Sequence, residues 1–109
     1  MANTFKLKTK ANVGVTTVGI YTAPAATTTV VIGITLSNTS GSGVNVGVGI
    51  TRAGTTEDVK LLKNAPIPQG SSLDFMAGNK VVLETTDTLT VDSDTNNSVD
   101  AALTIMEIT

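Results

Sequence analysis

The chain has 109 residues and a formal charge of −2, with 40% apolar, 15% charged and 3% aromatic residues, which suffices for one domain and not for two. It has no cysteine and no histidine, which excludes disulfide frameworks, thiol nucleophiles, imidazole acid–base chemistry and the usual zinc and haem ligand sets. Its 20 Thr, 13 Val and 7 Ile are β-branched residues suited to a pleated surface, so the expectation is an all-β protein.

In chain order, Phe5-Lys6-Leu7-Lys8-Thr9-Lys10 alternates strictly, with Phe5, Leu7 and Thr9 on one face and three lysines on the other. This is the pattern of an edge strand, where lysines discourage unwanted strand addition. An alternative is an arm lying on a neighbouring subunit, with Lys6 and Lys8 meeting acidic groups there. Three lysines without aromatic platforms do not make a nucleic-acid site. Val13 to Thr22 reads as the next extended segment, closed by a turn at Ala23-Pro24.

The stretch Thr27–Ser37 combines β-branched density with consecutive apolar residues, as expected of a central strand buried on both faces. After a polar loop, Val44, Val46, Val48 and Ile50 alternate with Asn45, Gly47, Gly49 and Thr51, so the valines should face a core while the glycines leave a flat face open to close approach. A turn over 52–56 precedes a strand from Glu57 to Lys63. The run from Asn64 to Gly70, with Pro66 and Pro68, reads as a crossover between sheets.

Ser71–Met76, Val81–Thr85 and Thr88–Val91 form short strands, and Val99, Ala101, Leu103 and Ile105 share one face of a closing strand. Eight or nine strands separated by Gly, Pro, Asn and Ser turns predict a single antiparallel β-sandwich over residues 1–109, of immunoglobulin-like or jelly-roll type.

Charged residues are 15% of the chain, against about 25% in typical soluble domains, and the mean hydropathy is +0.23. One reading is a neutral exterior hydrated by Thr, Ser and Asn. The other is an exterior partly covered by neighbouring copies, because interface centres are depleted in Lys, Glu and Asp. A membrane span is not expected, since the longest apolar stretch, Val30 to Leu36, is far short of about 20 residues. The opening Met1-Ala-Asn-Thr-Phe-Lys has no apolar leader segment, so the expectation is folding in a cytosol or prior trimming of the chain.

Sites with chemistry are weak. Asp92, Asp94, Asn96 and Asp100 match four positions of a calcium loop, but Asn97 replaces its glycine and Leu103 its bidentate glutamate, so the segment reads as a solvated hairpin loop. Glu57 and Asp58 would point to opposite faces of a strand, and Glu84 and Asp87 bracket a turn of the kind that Asp stabilises by bonding its own backbone. Asn38-Thr39-Ser40 and Asn96-Asn97-Ser98 are formal sequons and read as polar loops. No catalytic residue, metal ligand or cofactor is expected, and no enzyme activity.

The order of a Lys-rich opening strand, Ala11-Asn12-Val13, then Tyr21-Thr22-Ala23-Pro24 leading to TTTVVIGITLSNTSG, NAPIPQGSSLDF, GNKVVLETTDTLTV and a terminal AALTIMEIT resembles small β-rich virion proteins of tailed bacteriophages, including cyanophages. The resemblance covers nearly the whole chain and rests on order and texture. It implies a non-enzymatic structural protein located in the virion, assembled in the host bacterial cytoplasm and oligomeric. A capsid decoration (cement) role in contact with the major capsid protein is the first expectation. A neck, tail or fibre component is the alternative, and a carbohydrate-binding module stands third for want of aromatic faces. Scarce large side chains tend to dominate interfaces, so Phe5, Leu7, Tyr21, Phe75 and Met76 are the expected contact residues, with Lys6 and Lys8 beside them.

Overall fold

The computed structural model describes residues 3–52, 58–75 and 81–109, and among these there is no helix. The strands are β1 (Asn3–Val13), β2 (Val18–Thr22), β3 (Thr28–Asn38), β4 (Val44–Thr51), β5 (Asp58–Ile67), β6 (Ser72–Phe75), β7 (Val81–Leu83), β8 (Thr88–Ser93) and β9 (Val99–Ile108). The first sheet has the order β1-β9-β3-β6, with β7 pairing β3 on the same side as β6; the second has the order β2-β8-β4-β5.

The pairings nest: β4 with β5, β3 with β6 and β7, β2 with β8, and β1 with β9. The chain is thus one long hairpin with its tip between β4 and β5, rolled up so that β3 also meets β9 and β4 also meets β8. With β6 and β7 as two segments of one edge, this is a jelly roll, which settles the fold between the two sandwich types expected.

Period-two patterning places the core. Val31, Ile34 and Leu36 from β3, Val99, Ala101, Leu103 and Ile105 from β9, the four apolar positions of β4, and Leu89 and Val91 from β8 are all buried between the sheets. Each Val, Leu or Ile among them contributes roughly 1.5–3 kcal/mol by leaving water.

Four sequence expectations are corrected. The irregular TTTVVIGITLS run is not a strand sealed on both faces: the register with β9 shifts between Val31 and Gly33, so Ile32 is an extra residue that lets Val31 and Ile34 both point inward while the outer positions stay half-buried. The segment Val13–Thr22 is broken at Gly14, because Val13 closes β1 in one sheet and Val18 opens β2 in the other.

The crossover predicted from Asn64 starts later, at Pro68. β5 runs on through Pro66, which is tolerated because β5 is an edge strand whose outward N–H positions need no partner. The close approach expected at Gly47 and Gly49 is met, and by the chain itself: a Cβ on Gly49 would stand 2.9 Å from the Val59 carbonyl oxygen of the bulged β5. Asn38, read as a loop residue, ends β3 and is buried, its amide donating to the carbonyls of Ser42 (2.8 Å) and Ile67 (2.9 Å). The turn predicted over 52–56 falls, Arg52 apart, outside the described residues.

Candidate interaction surface

β1 is the outer edge of the first sheet and pairs with β9 alone. Residues directly opposite one another on an antiparallel pair share a face. Since Ala101, Leu103 and Ile105 point into the core, their partners Lys10, Lys8 and Lys6 lie on the inner side, and Phe5, Leu7 and Thr9, opposite Met106, Thr104 and Ala102, lie on the outer side. An amphipathic edge strand normally turns its apolar face inward; this one is reversed, and Phe5 and Leu7 are 69% and 65% exposed. Charges turned toward the interior at a sheet edge keep that edge from accepting arbitrary strands.

The outer face of the first sheet carries an unbroken apolar row. Phe5 stands opposite Met106, Met106 opposite Val30, and Val30 opposite Val82, so one line of apolar side chains crosses β1, β9, β3 and β7. Val82 is 55% exposed, and Leu7, Ile32 and Ile108 flank the row. No charge interrupts it. The opposite end of the same face is polar: Thr9, Thr35, Ser37, Asp100 and Ala102 line a shallow depression of about 260 Å³, and Asp74 accepts a bond from Thr35 Oγ1.

Beneath the row lies a buried polar network. Continuing the inward phase of β9 past Ile105 brings in Glu107, a carboxylate with a side chain only 8% exposed. Lys6 Nζ meets its Oε1 at 2.8 Å, the Tyr21 hydroxyl donates to its Oε2 at 2.6 Å, and the same hydroxyl lies 2.8 Å from Thr29 Oγ1. The hydrogen bond from Lys6, and then that from Tyr21, hold the Glu107 carboxyl below its usual range. Burial first, then the bond to Glu107, push the Tyr21 phenol up to about 12.

The expected contact residues therefore divide. Phe5 and Leu7 are on the exposed apolar face, Lys6 and Lys8 are on the inner flank of the same strand, and Tyr21 is a core residue, buried because its hydroxyl finds partners inside the sandwich. Phe75 pairs through its backbone with Ile34; its side chain and Met76 lie outside the described residues. Residues not singled out in the sequence complete the surface: Met106, Val30 and Val82 in the row, and Glu107 below it. Met106 and Glu107 were legible in principle, since the alternation of the closing strand extends to them.

The acidic residues of the segment from Asp92 to Asp100 do not converge. Asp92 accepts from Thr17 Oγ1, Asp94 from the backbone N–H of Asn45 and Asp100 from the backbone N–H of Asn12, and among the described residues no group of three or more His, Cys, Asp or Glu side chains could hold a metal ion. Glu84 and Asp87 form the expected turn, the Glu84 amide donating to Asp87 Oδ2 at 3.0 Å, and both carboxylates clamp Arg52, at 2.6 and 3.0 Å.

No family profile matches the chain, and neither does any curated protein sequence. Solved structures do. A subunit of Bacillus endospore appendages, described as disulfide-linked pili, aligns at 16% identity and TM-score 0.57 over 99% of this chain and 87% of its own. A protein of the T13 IBDV viral particle aligns at 16% identity and TM-score 0.58 over 96% of this chain. This chain spans 30% of the length of that particle protein. A pentameric capsid protein from metagenomic phage sequences aligns at 19% identity and TM-score 0.43, over 94% of this chain and 59% of its own. The first two likenesses show that the fold of this chain is shared with a protein of a viral particle and with a subunit of a spore appendage.

Proposed function

We propose that the chain is a non-enzymatic structural protein of a virus particle, a decoration (cement) subunit seated on capsid subunits through the outer face of its first sheet. The observation that carries this reading is the uncharged row Phe5–Met106–Val30–Val82 spanning four strands in a domain that has few charges elsewhere. Apolar faces of this kind mark interaction sites, and the broad side of a body measuring 45 × 28 × 22 Å has room for the footprint of about 800 Å² per partner of a standard interface. The fold shared with a viral-particle protein supports the same reading.

The test is a particle lacking the protein or carrying Phe5→Asp. Burying a phenyl ring that is two-thirds exposed is worth roughly 1–2 kcal/mol, so the substitution lowers shell affinity roughly 5- to 30-fold. Such particles lose heat and low-salt resistance while tails remain intact; unchanged capsid stability refutes the reading. The fold shared with a pilus subunit of nearly the same length favours a second reading, a tail or fibre component. Copy number separates the two: hundreds per particle for a shell protein, a dozen or fewer for a neck or baseplate.

A further inference from the structure

We infer that residues 3–10 are an exchangeable arm, and that β9 of a second copy of this chain is its alternative docking site. The arm is bound in an unusual way. A strand at the edge of a sandwich normally anchors itself with every second side chain; from Asn3 to Lys10 none is buried. Among the described residues, its polar ties are the backbone ladder to β9 and the ion pair of Lys6 with Glu107.

The arm is also separated from the body at a defined point. The register with β9 breaks between Lys10 and Val13, and Asn12 takes a φ of 60°, a left-handed conformation that Asn tolerates better than most residues. Beyond that point the chain is fastened: Val13 is buried, its carbonyl accepts from the Ser98 amide at 3.1 Å, and the Gly14 carbonyl accepts from the Ser93 amide at 2.9 Å. Rotation at Ala11–Asn12 releases eight residues without disturbing the core.

The site the arm leaves is specific. It consists of the free edge of β9 and the buried Glu107, held in place by Tyr21 and left without its cation. An occupant must supply a strand with a cation at one inward position and tolerate Phe and Leu on the outer side. The arm of a second copy does so in the same register, with Lys6 meeting the neighbour's carboxylate. Exchange conserves every contact and costs only association and the hinge; crowding of copies in an assembly raises the effective concentration that offsets it. This inference goes beyond the shell role and does not require it.

Because the chain has no cysteine, the test is a mixture of two single-cysteine variants, Leu7→Cys and Thr104→Cys, at directly opposed exposed positions. After mixing under native conditions and mild oxidation, exchange yields a disulfide-linked heterodimer several-fold above that from Leu7→Cys with Ala102→Cys, which is two residues out of register. Adding Lys6→Glu to the Leu7→Cys chain sets two carboxylates together and lowers the yield. The double variant Leu7→Cys/Thr104→Cys, which closes its bond within one chain, confirms that the geometry permits the disulfide. A matched pair giving no more heterodimer than the offset pair overturns the exchange, and a yield indifferent to Lys6→Glu overturns the assignment of Glu107 as its socket. Failure here leaves the particle-stability test unaffected.

Discussion

Replacing Tyr21 with Phe deletes one hydroxyl from the interior and leaves the ring in place. That hydroxyl donates to an ionised carboxylate at 2.6 Å and shares a bond with Thr29, and Glu107 has little water to turn to instead. Hydrogen bonds to charged groups are worth about 1.5–3 kcal/mol net, so Tyr21→Phe lowers the unfolding free energy by roughly 2 kcal/mol and Tm by about 8 °C. Burial of the hydroxyl, and then its bond to Glu107, also predict a pH dependence. The folded phenol titrates near 12 against 10.0 for a free one. Above pH 10 the unfolded state therefore loses its proton first, so this stabilisation is complete below pH 10 and is withdrawn as the pH rises toward 12. The gap corresponds to roughly 2–3 kcal/mol. Urea unfolding of the wild type and Tyr21→Phe at neutral and alkaline pH measures the difference, and the single tyrosine, with no tryptophan in the chain, lets near-ultraviolet absorbance follow its ionisation directly. The two stabilities converge as the phenol ionises. A wild-type phenol titrating near 10, or a difference independent of pH, refutes the network.

At the acid end the sign reverses: Glu107 is held below 4.5, so its contribution is present above that pH and is lost as the pH falls further. Lys6→Met, which removes the cation from a buried carboxylate while its own position is partly solvated, costs about 1–3 kcal/mol at neutral pH and little in acid, as chemical denaturation across pH measures. Leu103→Ala opens a cavity in the centre of β9 and costs about 2–5 kcal/mol, whereas Leu7→Ala, on a side chain 65% exposed, changes stability by less than about 0.5 kcal/mol. Equal losses from the two would show that Leu7 is a core residue and that the outer row does not exist as described.

The buried positions of β4 and β9 follow from alternation alone, because a strand has a period of two and a solvent-free side must be apolar. The same logic misjudged β3, where Ile32 is an added residue and the phase changes without any turn signal. It also stopped short of Glu107, since a charged residue in an inward phase looks like the end of a strand until its partners are known.

Strand content, the position of most turns, the absence of thiol and imidazole chemistry and the edge character of β1 were properties of the chain as written. They depend on residue type and on neighbours a few positions away. Only the rolled topology decided that β9 lies between β1 and β3, and with it which face of β1 looks outward. Pairing across about a hundred residues brings Lys6 and Tyr21 to Glu107 and aligns Phe5, Met106, Val30 and Val82 in one row. Each of these side chains is ordinary in its own segment; the network and the apolar surface arise because distant strands share a register, a long-range relation that local periodicity does not encode.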